Sequence, residues 1–317
     1  MSGDRAEGAV VPSGEGVAIV TVAHESRAVL ERFLGTVEVH LPEAQVIVVD
    51  CASSDGSAEA ARGWGRGRAT VLEPGTNLGY GRAANLGLEA VEQPVTVVAN
   101  PDLELLDGSL ARLAAEAMRP GAPERILAPR VLNADGSLQD SVHPEPGSPS
   151  TLLAALVPPA ALPRPLRAAV EPWRGRRARA VAWAVGCCLV ARTETLRRLG
   201  PFDQRIFLYA EDTELGLRAG DQGVQTWFWP HARVRHHQAH STAATFGGEN
   251  IELLARQRRA VVQERLGGAR RRLDDWVQLL TFADRIALKA LLRRPHARER
   301  AQLRALWRAR REPPRLA

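Results

Sequence analysis

Through the first 120 residues, short β-branched runs and helical stretches alternate about every 25 residues, a rhythm that few folds accept. Val17–Val22 is a continuous run of the kind a strand shows when helices cover both its faces. Val29, Leu30, Phe33, Leu34 and Val37 then recur at spacings of one, three and four, the pattern of a helix with one apolar face. Residues 44–49 predict a second strand, stopping at Asp50. Ser57–Gly63 reads as a short Ala-rich helix and Ala69–Leu72 as a third strand. A helix from near Arg82 to Val91 leads into the strand Val95–Ala99, which ends at Asn100-Pro101-Asp102. Leu110–Met118 is helical again. Parallel strands need a crossover to return the chain to the same edge, so this order predicts an α/β chain with a doubly wound, mostly parallel sheet. Such sheets collect ligands beyond the carboxyl ends of their strands, where His24, Asp50 and Asp102 stand.

The middle of the chain changes character. Asn133-Ala-Asp-Gly136 is a turn signal, and residues 143–175 hold eight prolines and read as an irregular excursion. Val181–Ala191 predicts a strand, Thr195–Leu199 and Glu211–Ala219 predict helices, and Gln225–Trp229 a further strand. From residue 251 onward, Leu-, Ala- and Arg-rich stretches predict two or three helices with a break at Pro295. The expected organisation is a disordered tail over 1–16, an α/β domain over 17–250 and a basic helical extension over 251–317.

Charge separates that extension from the rest. Residues 251–317 carry 18 basic and 7 acidic side chains, a net of +11, leaving −5 on residues 1–250 of a chain whose total is +6. A basic appendage of this kind suits an anionic membrane surface. Nucleic acid is disfavoured, because no aromatic platform interleaves the arginines. The competing expectation is that these helices pack on the α/β domain or form a homodimer, with the arginines solvated. Cys51, Cys187 and Cys188 match no metal-binding spacing, and their odd number argues against a disulfide framework, so a cytoplasmic setting is expected, with peripheral contact on the inner membrane face. Residues 1–16 lack the apolar core of a secretion signal, and the 11-residue apolar stretch Val181–Ala191 is short of the roughly 20 needed to span a bilayer.

Five segments carry candidate chemistry. In Val48-Val-Asp-Cys-Ala-Ser-Ser-Asp-Gly-Ser57, Asp50, Ser53 and Asp55 offer acceptors for a base or ribose at the start of a helix, although Ser54 or Asp55 would serve equally as a helix cap. Asn77-Leu-Gly-Tyr-Gly-Arg-Ala-Ala-Asn-Leu-Gly87 is Gly-rich but does not follow the first strand. The loop that does, Ala23-His-Glu-Ser26, has no glycine, which excludes a dinucleotide-binding oxidoreductase. Asn77 and Arg82 are better placed to lean over a diphosphate. Asp102, pinned by a proline at a strand end, suits a divalent cation that shares oxygen ligands with phosphate. Glu211-Asp212 opens a helix, where the positive end of the dipole favours carboxylates. Val234-Arg-His-His-Gln-Ala-His-Ser241 offers histidine, but at no zinc-hydrolase spacing.

Taken in order, the VVD strand with its SSDGS turn, NLGYGRAAN, NPD, the WxxG strand, FDxxxFLYAEDTEL and VRHxxxxS resemble glycosyltransferase family 2, most closely its rhamnosyltransferase-like branch, from Val17 to Ser241. The resemblance implies a GT-A nucleotide-sugar-binding fold and inverting transfer of a sugar, such as the deoxyhexose rhamnose, from a nucleoside diphosphate to an acceptor hydroxyl. It implies dTDP-rhamnose as donor, with a UDP-sugar next, and a glycan or lipid-linked acceptor. Asp50 would then contact the base, with His24, Ser53, Asp55, Asn77, Arg82, Asn100, Trp183 and Gly186 around the nucleotide-sugar. Asp102, with His236 or His237, would hold Mg²⁺ or Mn²⁺, and Asp212, beside Glu211, would be the general base. Asn100, where many relatives have Asp, is a variant associated with the rhamnosyltransferase-like branch, and two positions depart from the family pattern: His24 where relatives usually have asparagine, and Ala182 where an aspartate is frequent. A non-catalytic nucleotide-sugar-binding relative is the first alternative, separated by whether Asp212 faces the donor site. A nucleotidyltransferase is the second, and it would place a Gly-rich basic loop after the first strand.

Overall fold

The computed structural model describes residues 13–237 and 250–316; most of the expected N-terminal tail, and His240 and Ser241, lie outside the described residues. Four strands come first, β1 (Val17–Ala23), β2 (Gln45–Asp50), β3 (Ala69–Leu72) and β4 (Val95–Ala99), joined by helices α1 (Arg27–His40), α2 (Ser57–Gly63) and α3 (Tyr80–Glu89). All their pairings are parallel, in the order β3-β2-β1-β4. Successive residues of β1 point to opposite faces of the sheet. Val17 and Ile19 enter one core with Leu30, Phe33 and Leu113, whereas Ala18 and Val20 enter a second with Ala84, Leu88 and Leu215. Helices therefore cover both faces, which is why β1 is apolar nearly throughout.

Beyond β4 the sheet is mixed. The chain adds β5 (Leu103–Leu105), α4 (Ser109–Met118), β6 (Arg125–Asn133), β7 (Val142–His143), α5 (Pro149–Leu156) and α6 (Arg164–Val170). The proline-rich excursion is thus partly helical. Proline falls in the first turn of both α5 and α6, where its missing N–H has no intrahelical partner to lose. The single strand expected over Val181–Ala191 is three pieces, β8 (Arg179–Val181), β9 (Trp183–Ala184) and β10 (Cys188–Arg192). After α7 (Thr193–Leu199) and α8 (Glu211–Asp221), β11 (Gln225–His236) runs seven residues past its expected end at Trp229. It passes Pro230 through an irregularity between Trp229 and Arg233, a place where a strand tolerates proline. β10 lies antiparallel to β4 and β6, and β11 parallel to β6 but antiparallel to β5 and β8.

The C-terminal segment is α9 (Ile251–Leu291) and α10 (Ala297–Ala309), with Pro295 in the break between them as expected. A second break, at Gly267, bends α9 where φ reaches +81°. Arg258–Asp274 and Arg259–Asp275 ion pairs, each 2.9 Å, join the two arms across this bend. Arg259 and Asp275 are buried, and removing one partner of such a pair strands a charge at a cost of about 3–5 kcal/mol. Arg265 pairs with Glu214 of α8, so part of the arginine excess is internal structure and not solvated surface. Among the described residues, no helix is long and apolar enough to cross a membrane.

Candidate active site

The loops after β1, β2 and β4 open at one end of the sheet and meet the start of α8 around a cavity of about 800 Å³. Asp212 reaches it from the first turn of α8. Its Oδ2 accepts from the Gly186 N–H at 3.0 Å and its Oδ1 from its neighbour's, Thr213 N–H, at 2.6 Å. Tyr209 and Ala210, just before the helix, hold φ of +68° and +66°, a left-handed conformation that non-glycine residues keep only where packing imposes it. Burial pushes both Glu211 and Asp212 above the ordinary carboxylate range. At Glu211 the charge of Asp212 adds to the push, while at Asp212 the Gly186 and Thr213 hydrogen bonds oppose it.

Asn77 and Tyr80 enter from the loop before α3. The Asn77 side chain accepts from Gly79 N–H at 2.9 Å, and Tyr80 donates its N–H to Phe207 O at 3.1 Å and its hydroxyl to Gly186 O at 2.8 Å. Gly79 (φ +77°) lies so close to Phe207 that a Cβ would stand 2.2 Å from that carbonyl oxygen. Gly79→Ala therefore forces the loop off Phe207. The expected outcome is a loss of about 1–3 kcal/mol in stability together with weaker donor binding, read by thermal unfolding and by kcat/KM. An alanine variant with parent-like values in both would show that this loop contact is dispensable.

Asp102 and His236 meet across the β4 end and β11, with Oδ1 3.1 Å from Nε2. His236 Nδ1 lies 3.1 Å from Gln139 Oε1, and in the neutral tautomer that donates there Nε2 carries no proton. Two acceptors then face one another, with the Asn100 amide 3.3 Å from Nε2. This donor set fits a divalent cation: a hard carboxylate oxygen, and an imidazole whose other nitrogen is fixed by a hydrogen bond. No group of three or more His, Cys, Asp and Glu side chains is placed to hold a metal among the described residues, so phosphate oxygens and water would complete the shell. His237 goes elsewhere. It directly follows the last residue of β11 and faces Glu104, with Nε2 3.0 Å from Oε2, because successive residues of extended chain point to opposite sides.

Of the residues expected from sequence, the cavity brings together His24, Asn77, Asn100, Asp102, Trp183, Gly186, Glu211, Asp212 and His236. Asp50, Ser53, Asp55, Arg82 and His237 are not on its wall. Ser53 accepts from Glu25 N–H at 3.0 Å, and Asp55 accepts from Arg27 and Ser57 N–H at 2.8 and 3.0 Å, tying the β1 loop to the start of α2. Arg82 donates to the Gln204 carbonyl, which fastens α3 to the loop before α8. Asp50 is buried; one oxygen accepts from Ser53 N–H at 2.9 Å and the other has no partner.

The opposite wall was not foreseen. His143 stacks on Trp183 with ring centroids 4.1 Å apart. Burial, reinforced by the charge of Arg258, lowers the His143 pKa to about 3, so the ring is neutral. Arg258 and Phe282 of α9 and Arg298 of α10 also line the cavity. A histidine in a proline-rich stretch and an arginine in a basic tail carry no local signal of a site.

A family model described as Glycosyl transferase family 2 matches residues 18–130. An N-acetylglucosaminyl-diphospho-decaprenol L-rhamnosyltransferase of Mycobacterium tuberculosis is 32% identical over 239 residues, covering 71% of this chain and 76% of that protein. The chain belongs to glycosyltransferase family 2. Among solved structures, a mannosyltransferase from Pyrobaculum calidifontis in complex with GDP-Man and Mn²⁺ superposes with a TM-score of 0.62 at 14% identity, covering 94% of this chain and 88% of that one. A glucosyl-3-phosphoglycerate synthase from Mycobacterium tuberculosis, in complex with Mg²⁺ and uridine diphosphate, gives 0.51 at 19% identity over 81% of each chain. These neighbours share the GT-A fold. The family 2 chain is a glycosyltransferase of the rhamnosyltransferase-like kind.

Proposed function

We propose that this glycosyltransferase moves L-rhamnose from dTDP-rhamnose, with inversion, to a hydroxyl of N-acetylglucosamine carried on a lipid diphosphate. The M. tuberculosis relative, whose name states that acceptor class and that sugar, supports the substrates. The placement of Asp212 carries the chemistry. It lines the same cavity as Asp102 and Arg258, and its charge helps to stabilise that of Arg258. That position also weighs against a binding protein without catalysis.

On this reading the nucleotide lies over the strand ends, with Asn77 beside the diphosphate and Asp50 beneath the loop after β2, outside the cavity wall. Asp102, His236 and Asn100 would hold Mg²⁺ or Mn²⁺. When bound, the cation acts as a Lewis acid that neutralises charge growing on the leaving diphosphate. The acceptor sugar rests against Trp183, and its hydroxyl gives its proton to Asp212 as the oxygen attacks the anomeric carbon. Gly186 and Thr213 N–H groups keep the carboxylate aimed during that transfer. One displacement from the face opposite the diphosphate inverts the anomeric centre.

Nucleoside diphosphate release, measured with a lipid-diphosphate N-acetylglucosamine acceptor, tests the assignment. dTDP-rhamnose is expected to exceed UDP-glucose, UDP-galactofuranose and GDP-mannose by about tenfold or more, within the range a pocket discriminates by shape and hydrogen bonding. Equal or faster turnover with any of the other three would overturn the donor.

A further inference from the structure

We propose that the outward face of α9 beyond Gly267, together with α10, is a docking surface for an anionic lipid bilayer. Leu273, Trp276 and Leu280, and beyond them Leu288 and Leu291, lie along one side of the helix with Asp284 between the two groups, and all are exposed, Trp276 at 54% and Leu291 at 80%. A soluble helix normally turns such a face inward, and among the described residues this one has no partner. Arg310 links it to α10: its guanidinium lies 4.8 Å from the Trp276 ring and 5.0 Å from that of Trp307, itself half exposed. Tryptophan with arginine is the pairing that settles at a headgroup boundary.

Charge selects the occupant. Residues 284–311 hold ten Lys and Arg side chains against two acidic ones, Asp284 and Glu299. Glu299 is taken by Lys289 at 2.6 Å, while Asp284 is exposed on the same helix. Arg293 and Arg294, in the turn after Leu291 and Leu292, have no carboxylate partner among the described residues. A second copy of the chain would bring this positive surface against its own like. An anionic bilayer complements it and takes the leucines as well.

The same two helices also reach the cavity from their other side. Phe282 on α9 and Arg298, Gln302 and Leu306 on α10 line the cavity wall. Leu288 and Leu291 follow Phe282 by six and nine residues, about 9–14 Å along the helix axis. Docking there brings the helices that wall the cavity to the membrane surface. The use of this geometry rests on the lipid-linked acceptor proposed above; the binding itself does not.

Flotation of the full chain with phosphatidylcholine vesicles, with and without phosphatidylglycerol, is the test. The protein is expected to float only with the anionic vesicles and to be released at about 1 M salt, where the screening length is about 3 Å. Leu288→Asp with Leu291→Asp, and separately Arg293→Glu with Arg294→Glu, should each lower the bound fraction on the order of tenfold or more. Both variants should keep parental unfolding temperatures and parental turnover on a short-chain, water-soluble acceptor. Failure to float, equal flotation on neutral vesicles, or parental flotation of both variants overturns the proposal. So does a parent dimer, seen by sedimentation, that the leucine variant dissociates. If the parent floats but turns over no donor with the soluble acceptor, the docking surface stands and the substrate reading falls.

Discussion

Asp212→Asn is expected to lower turnover by about 10²- to 10⁴-fold while donor affinity stays within a few-fold of the parent. The amide keeps the size of the carboxylate, and its oxygen can accept from either Gly186 or Thr213, the two N–H groups that hold Asp212. What disappears is the capacity to take a proton. A group that only removes a proton in the transition state leaves donor binding largely untouched. The pH profile gives a second reading of the same residue. A base works only when deprotonated, and burial raises the Asp212 pKa, so the rate should climb with pH through a limb lying above the ordinary carboxylate range and then level off. The asparagine variant should lose that limb. Turnover near the parental value would remove Asp212 from the role, and the adjacent Glu211 would not inherit it easily. Glu211 is buried, its Oε2 has no partner, and burial with the neighbouring Asp212 charge holds its proton on.

How much of this was legible beforehand follows from the range of the forces involved. Strands β1, β2 and β4 were readable because helices bury them on both faces, which writes a nearly continuous apolar run into each, and the half-buried edge strand β3 because it is short and β-branched. Asp102 and Asp212 were readable because a strand end and a helix start are local features, each marked by a turn or a carboxylate. The bend at Gly267 was not foreseen, although Gly267-Gly268 stands in the sequence, since the surrounding Leu, Ala and Arg are strong helix formers. The extent of β11 was underestimated at Pro230, where the irregularity absorbs the missing N–H. That one misreading also left His236 and His237 equivalent: with His236 the last residue of β11 and His237 just past it, alternation turns only His236 to Asp102.

The opposite wall was illegible for a different reason. His143 stacked on Trp183, Gln139 fixing His236, and Arg258 arriving from α9 are contacts between distant segments. No spacing rule encodes them. The basic extension misled in a related way, because net charge does not distinguish an arginine paired with Asp274 or Asp275 from one in solvent. The charge excess therefore divides, with Arg258, Arg259, Arg265 and Arg271 stitching α9 together or to α8, and the turn after Leu292 left facing outward.

Chelation is expected to abolish turnover, and added Mg²⁺ or Mn²⁺ to restore it. Asp102→Ala should lower both metal and donor affinity and cost on the order of 10²-fold or more in kcat/KM, since a lost ligand also loosens the cation that screens the diphosphate. Gln139→Leu separates a metal role from simple packing. Gln139 lies outside the Asp102–His236 pair and accepts the Nδ1 proton, which keeps Nε2 free to coordinate. Removing such a support commonly lowers metal affinity about 10–100-fold. Mn²⁺ binding in the presence of dTDP, followed by electron paramagnetic resonance, reads this without reference to activity. The expected order of affinity is parent, then Gln139→Leu, then Asp102→Ala. Full turnover in chelator, with Mn²⁺ binding unchanged in both variants, would mean that Asp102 and His236 share a proton and not a metal. The diphosphate charge would then have to be met by side chains already on the cavity wall, of which Arg258 and Arg298 are the cationic ones among the described residues.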